Sequence, residues 1–385
     1  MDTLSWSALV DWSTVLGLVF GGCCSNAISL QELTSEYPNV GSLITFTQFL
    51  LVSLHGIRKF LYFERGPLGL PLPKMRPRRV PLTPYLIQVV LYTAISSLNN
   101  AAFAYKIPMT VHIIFRSGGL VISLIMGWLL AGKRYSRGQV FAVIVVTGGV
   151  MLTTASAAVK KPQQSASASA ADAGPPLKTY MTGVGILTLA LILGGLLGIT
   201  QDRTYGKYGG AKSKDPNAPA IWEESMFYMH FLSLPSFAFM SKNISSQATS
   251  LMAASKAHVT LPMPSPFVTL HPTPGKPAAS TSLDLHVPKA VVFLLLNALT
   301  QLFCSAGVNR LTTKVSSLTV TLVLVVRKAV SLLLSVALFK RSAHMDSTQW
   351  LMLWSGAALV FAGTVIYAGS SKPRPKVEKE KAKQE

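Results

Sequence analysis

Ten apolar segments divide this chain, at about 13–31, 41–63, 82–104, 108–131, 138–158, 179–200, 221–241, 288–308, 315–339 and 349–369. Each is near the length at which a helix crosses the ~30 Å hydrocarbon core of a bilayer. In hydrocarbon a backbone must satisfy its own hydrogen bonds, so spanning segments of this length are helical. Composition agrees: 50% of the 385 residues are hydrophobic and only 13% charged, where a soluble domain carries about 25% charged residues. The expectation is an all-α membrane protein with ten transmembrane helices. No Lys or Arg precedes the first segment, only Asp2 and Asp11, and no clear small-residue cleavage site follows it. It is therefore expected to be retained rather than removed as a signal peptide.

The formal net charge is +20, from 35 Lys and Arg against 15 Asp and Glu. Membrane proteins collect Lys and Arg in their cytosolic loops, which accounts for this balance without a nucleic-acid partner. With the N-terminus in the cytosol, 22 of the 35 basic residues fall on that side and 10 on the other. The asymmetry places both termini in the cytosol. The remaining three, Arg116, Arg327 and Lys328, lie inside apolar segments. The three cysteines, Cys23, Cys24 and Cys304, also lie inside apolar segments and lack C-x-x-C spacing. They are expected to be core residues, with no disulfide frame and no metal site. No cofactor is expected.

Residues 159–178 are Ala-, Ser- and Pro-rich and read as a flexible linker. Residues 242–286, rich in Pro, Ser and Thr, read as a disordered loop on the non-cytosolic side. That loop carries the sequon Asn243-Ile244-Ser245, so Asn243 is a glycosylation candidate. The division expected is a first five-helix repeat at 1–158, the linker, a second repeat at 179–371, and a basic cytosolic tail at 372–385.

The two halves echo each other in order. "VFGGCCSN" in the first segment matches "ILGGLLGI" in the sixth. "TFTQFLLV" in the second matches "MFYMHFLS" in the seventh, with Gln48 and His230 among their polar members. "SSLNNAAF" in the third matches "NALTQLFC" in the eighth, setting Asn99 and Asn100 opposite Thr300 and Gln301. Thr110 and Thr321 each stand six residues before an arginine, in "TVHIIFRSGGL" and "TLVLVVRKAVS". "SRGQVF" and "STQWLM" open the fifth and tenth. Five segments per half is an odd number, so the halves must sit inverted in the membrane, with a site at their interface near the midplane.

A charge inside a span costs roughly 2.5–3.5 kcal/mol even on lenient insertion scales. The fourth segment spaces His112, Arg116, Gly119 and Ser123 along one helical stripe, and the ninth does the same with Thr321, Lys328, Ser331 and Ser335 beside Arg327. Asp and Glu are missing from the middle of every segment; Glu223 and Glu224 stand at the mouth of the seventh. Cations so placed suit an anionic ligand, and two or three suit a phosphate or diphosphate. Tyr228 beside that cavity could stack on a base, although aromatics at helical spacing are usually core. A proton relay commonly needs intramembrane Asp, Glu or His, and exchange of one anion for another needs none. A membrane-embedded transferase would require a general base or metal-binding carboxylates at the membrane surface, and the sequence offers no such cluster.

With these residues the chain resembles the nucleotide-sugar transporters of the drug/metabolite transporter superfamily, and among them the group carrying UDP-N-acetylglucosamine and UDP-xylose. The resemblance is carried by "FGGCCSN", "TFTQFL", "NNAAFAYKIPMTVHIIFRSGGL", "KRYS", "TQLFCSAGV" and "LTTKVSSLTVTLVLVVRKAVSLLLS". It implies ten helices in a five-plus-five inverted repeat. It also implies antiport of a cytosolic UDP-sugar for luminal UMP in the Golgi or endoplasmic reticulum. The same fold could carry another nucleotide-sugar or a sugar phosphate. The resemblance maps the family's phosphate-side cation to Lys328 or Arg327. Its aromatic-Asn motif falls on Phe227-Tyr228-Met229-His230, with Met229 where Asn is expected. The candidate substrate-binding set is Lys328, Arg327, Arg116, Tyr228, His230, Asn99, Asn100, Gln48, Ser331 and Thr321. The tail ends KEKAKQE, so Lys381 and Lys383 resemble a K-x-K-x-x signal for coat-protein retrieval.

Overall fold

In the computed structural model of the protein, the described residues are 3–37, 40–65, 71–102, 118–158, 177–209, 218–254, 258–263, 283–338 and 346–370. The helices are α1 (Thr3–Gly17), α2 (Cys23–Glu36), α3 (Gly41–Phe60), α4 (Leu82–Ala102), α5 (Gly119–Ala131), α6 (Arg137–Ala158), α7 (Leu177–Tyr208), α8 (Ile221–Ser233), α9 (Ser241–Ala254), α10 (Lys289–Lys314), α11 (Ser317–Leu338) and α12 (Ser347–Ser370). A π-helical turn, Leu18–Gly22, joins α1 to α2, and a 3₁₀ turn, Leu234–Met240, extends α8. Each of the ten apolar segments carries helix. Six helical stretches among the described residues are long and apolar enough to cross a membrane. Large apolar side chains point outward from them, Ile144, Leu351 and Val365 among them, as lipid contact requires.

The fold is mostly helical, and two short hairpins accompany the helices. Leu61–Arg65 (β1) pairs antiparallel with Pro71–Met75 (β2), and His258–Met263 (β3) with Leu283–Pro288 (β4). Both hairpins lie at or beyond the ends of apolar segments. The second segment leaves the helix at Phe60 because Leu61, Tyr62 and Phe63 pair with Met75, Lys74 and Pro73.

Two compact units make up the fold: Met1–Val89 with Thr204–Lys314, and Val90–Arg203 with Val315–Glu385. Both draw on both halves of the sequence, so the linker at 159–178 does not divide the packing.

In the first unit α3 and α8 run antiparallel. Phe46 meets Phe237, Phe49 meets His230, and Phe60 stacks on Phe227 at a ring separation of 4.8 Å. Gly56 admits the Phe227 ring, since a Cβ there would sit 2.5 Å from it. A similar approach joins the first helical run to α10. A Cβ on Gly22 would lie 2.8 Å from the Cys304 nitrogen, and one on Gly307 would lie 2.8 Å from the Val19 nitrogen. This proximity corrects the reading of the cysteines: Cys23 and Cys304, 281 residues apart, form a disulfide, and Cys24 is free and buried. Spacing along the chain carries no sign of such a distant pair.

The predicted loop at 242–286 is corrected at its start. α9 is ordered because Leu251 is buried in a cluster with Leu33, Val40, Leu43, Ile44, Ala290 and Leu294. In addition, Gln247 Oε1 accepts the Leu43 N–H at 2.9 Å, close to the start of α3. A polar composition hid one buried leucine and one capping glutamine.

The second unit contains α6 and α12 as an antiparallel pair. Gly149 faces Gly356 and Val360, while Gly363 faces Val146. Both helices open with a glutamine three residues on from the cap. Gln139 Oε1 accepts the Ser136 N–H, and Gln349 Oε1 accepts the Asp346 N–H, each at 3.0 Å. At the first, Ser136 Oγ returns a bond by accepting the Gln139 N–H, which completes a capping box.

Candidate substrate site

α11 carries the paired cations. Thr321, Lys328 and Ser331 stand at spacings of seven and three residues, which a helix places on one face. The Thr321 hydroxyl donates to the Ser317 carbonyl at 2.8 Å. Arg327 is half-buried, and Lys328 is exposed at the helix surface. With a rise of 1.5 Å per residue, Lys328 lies about 16 Å along the helix from Ser317, roughly half the hydrocarbon thickness.

The start of α11 is clamped by Asp202, near the end of α7. One carboxylate oxygen accepts the Ser317 N–H at 2.8 Å and the other accepts the Ser317 hydroxyl at 2.9 Å. The Lys133 ammonium pairs with the same carboxylate. A carboxylate at a helix N-terminus also complements the helix dipole. Gly198 gives the room, since a Cβ there would lie 3.2 Å from Ser317 Cβ.

Lys133 belongs to "KRYS", and that segment is fixed at several points. Gly132, with φ of 60°, ends α5 in the left-handed region. The Tyr135 hydroxyl fills the notch left by Gly127, and burial pushes the Tyr135 phenol up to about 12. Ser136 Oγ donates to the Ser370 carbonyl at 3.2 Å. Asp202 was not singled out in the sequence. Its signal was there, as the first carboxylate after the apolar segment 179–200.

Among the described residues, acidic and basic side chains pair near helix ends and in the first hairpin. Asp11 pairs with Arg310 and Lys314, Glu36 with Lys289, Glu64 with Lys74, and Glu223 with Lys59. Glu224 is 2% exposed. It accepts the backbone N–H of Arg79 and of Val80 at 3.0 Å each, and the Tyr85 hydroxyl at 3.3 Å. Of the two glutamates at the mouth of the seventh segment, Glu224 thus organises the approach to α4, while Glu223 ties α8 to Lys59 of α3.

The other predicted residues have more local partners. Tyr228 is buried, stacked on Tyr85 at 5.4 Å, with the Arg78 guanidinium 5.7 Å from its ring centre. It belongs to an aromatic cluster with Phe60 and Phe227. His230 Nδ1 lies 2.7 Å from the Met226 carbonyl, which can only accept, so Nδ1 carries the proton. Gln48 donates to Asn297 Oδ1 at 2.6 Å. Asn297, fully buried, donates in turn to the Asn26 carbonyl and to Ser29 Oγ, at 3.2 Å each, while Asn26 donates to the Asn297 carbonyl at 2.9 Å. Gln48 therefore joins a buried polar network tying α2, α3 and α10 together. Asn297 and Asn26 are its centre, and neither was a sequence candidate. Asn99 turns its amide onto the Ile95 carbonyl of its own helix at 2.8 Å.

Gln48, Tyr228 and His230 fall in the first unit, and Asn99, Thr321, Arg327, Lys328 and Ser331 in the second. His112, Arg116, the Asn100 and Ser335 side chains, Lys381 and Lys383 lie outside the described residues.

Helices of membrane-spanning length, outward apolar side chains and cations at mid-helix define a polytopic helical membrane protein. The sequence profile of the UAA transporter family matches residues 12–371, and the chain belongs to that family. It is similar to the UDP-N-acetylglucosamine transporter YEA4 of Saccharomyces cerevisiae, at 35% identity over 96% of each chain. It is also similar to the UDP-xylose and UDP-N-acetylglucosamine transporter of Danio rerio, at 32% identity over 91% of each chain. The endoplasmic reticulum GDP-fucose transporter of Drosophila melanogaster is 34% identical over 93% of this chain and 91% of its own. The family is one of transporters, which decides against a membrane-embedded transferase.

Proposed function

We propose that this protein is an antiporter that moves a UDP-sugar, UDP-N-acetylglucosamine or UDP-xylose or both, from the cytosol into the lumen of the Golgi or endoplasmic reticulum in exchange for UMP. The observation that carries this reading is the 35% identity to a UDP-N-acetylglucosamine transporter across 96% of both chains. Ten spans in a five-plus-five inverted repeat, with both termini cytosolic, form its frame. The antiparallel pairing of α3 with α8 and of α6 with α12 supports that frame, because these helices come from matching segments of the two halves. Lys328 and Arg327 are the phosphate-binding residues in this reading, with Arg116, Ser331 and Thr321 beside them. Tyr228, His230, Gln48, Asn99 and Asn100 contribute to the polar and aromatic surroundings. Partners on this reading are the bilayer and, through Lys381 and Lys383, the coat-protein retrieval machinery.

A second reading has its own observation: a GDP-fucose transporter matches at 34% identity, so overall similarity does not separate uracil from guanine. The test is exchange in proteoliposomes loaded with UMP or GMP. Uptake of UDP-N-acetylglucosamine or UDP-xylose should depend on internal UMP. Uptake of GDP-fucose driven by internal GMP, with no UDP-sugar uptake, would overturn the uridine assignment.

A further inference from the structure

The first hairpin has mixed faces. Cross-strand partners share a face, so Leu61, Phe63, Pro73 and Met75 lie on one side with Arg65 and Pro71 at its turn end, while Tyr62, Leu72 and the Glu64–Lys74 ion pair share the other. Phe63 is 66% exposed, Leu72 53% and Met75 41%. Exposed aromatic and aliphatic groups interleaved with charged ones suit the membrane–water interface.

The chain leaves this hairpin through Arg76-Pro77-Arg78-Arg79. The Arg76 N–H bonds the Phe60 carbonyl at 2.8 Å, and its guanidinium lies 5.7 Å from the Tyr62 ring centre. Arg78 is exposed and lies over Tyr228. Behind these arginines is a cavity of about 430 Å³. Arg76 and Arg78 line it together with Tyr228, Leu82, Phe231 and Leu232. Phe231 is 38% exposed. A lining that joins two guanidinium groups to exposed apolar side chains complements a molecule with an anionic head and a hydrocarbon tail.

We propose that this cavity binds an anionic glycerophospholipid, with Arg76 and Arg78 on the headgroup phosphate and an acyl chain along Leu82, Phe231 and Leu232. The residues lining the cavity all belong to the first unit. Its ligand would hold the start of α4 and the middle of α8, the segments joined by Glu224 and the Tyr85–Tyr228 stack. The same guanidinium chemistry could serve a free nucleotide phosphate, and the experiment separates these sources.

Full-length protein purified in neutral detergent is unfolded by heat with phosphatidylinositol, phosphatidylcholine or UMP added. Phosphatidylinositol should raise the midpoint above the phosphatidylcholine value. In Arg76→Gln/Arg78→Gln that increment should fall by at least half, with the UMP increment unchanged. An equal lipid increment in the variant would overturn the proposal, as would loss of the UMP increment alone. A diazirine-bearing phosphatidylinositol then tests the unmutated protein, whatever the variant's folding. Labelling should fall on peptides containing residues 75–82 or 231–232 and be suppressed by excess phosphatidylinositol. Labelling confined to other peptides, or suppression by UMP to the same degree, would refute it.

Discussion

Asp202 sets the position of the helix that carries Arg327 and Lys328, because it holds the Ser317 N–H, the Ser317 hydroxyl and the Lys133 ammonium at once. Removing a cap of this kind costs about 0.5–2 kcal/mol, and leaving a lysine without its partner adds to that. Asp202→Ala should therefore lower the thermal midpoint of the purified protein, and Asp202→Asn, which keeps an acceptor for Ser317, should recover part of the loss. An unchanged midpoint in Asp202→Ala would remove the clamp. Lys328 is a different case, since it is proposed above as a phosphate-binding residue. Hydrogen bonds to charged groups are worth about 1.5–3 kcal/mol, so Lys328→Ala should reduce UDP-sugar exchange by about tenfold to a hundredfold while leaving the folded yield intact. Wild-type exchange by that variant would move the phosphate site elsewhere. Tyr228 shows why single residues resist assignment from sequence. "FYMH" states that an aromatic is present, but its stacking on Tyr85 depends on a helix more than 100 residues away in the chain.

Elements were legible in proportion to how far local hydrophobicity determines them. All ten apolar segments carry helix, because a run of about 20 apolar residues has few other ways to satisfy its backbone. The π-helical turn at Leu18–Gly22 and α9 were not legible, because each packs on neighbours distant in sequence, and the two hairpins fall at segment ends where apolar periodicity says little. Glycines mark the close helix approaches. Gly22 and Gly307 bring the π-helical turn to α10, and Gly149 and Gly356 bring α6 to α12. Which thiols that approach would join was invisible. The disulfide makes a countable prediction: after denaturation without reductant, one cysteine per chain should react with a maleimide, and after reduction all three. Three reactive thiols in both conditions would show the two helices to be unlinked. At the other contact, a Cβ on Gly356 would lie 2.7 Å from the Gly149 oxygen. Gly356→Val must therefore push α6 and α12 apart, at a cost of about 1–3 kcal/mol. Gly148, next to Gly149 on α6 but open to space, should accept the smaller Gly148→Ala with far less effect on the melting curve.

For the whole molecule, direction is the property that an inverted repeat constrains most. Two copies with an odd number of spans must enter the membrane from opposite sides, so equivalent helices run in opposite directions. α3 and α8 carry the matched segments "TFTQFLLV" and "MFYMHFLS" and are antiparallel, with Phe46 against Phe237 and Phe60 against Phe227. α6 and α12, opened by "SRGQVF" and "STQWLM", are antiparallel as well, and a glutamine accepts from the backbone at the start of each. Two copies inserted in the same direction would make both pairs parallel. The arrangement fixes the side of every connection once one terminus is known, and the excess of Lys and Arg predicts a cytosolic one. In sealed microsomes, tags at either end should be digested by added protease without detergent, and a tag placed within 159–178 should be protected. Asn243, exposed at the start of α9, should fall on the protected side. Any glycan there should give a glycosidase-sensitive mobility shift that Asn243→Gln abolishes. A protected C-terminal tag beside a digested N-terminal one would require an odd total of spans. That outcome would break the symmetry between the halves, and it would also remove Lys381 and Lys383 from the cytosol, where a retrieval signal has to be read.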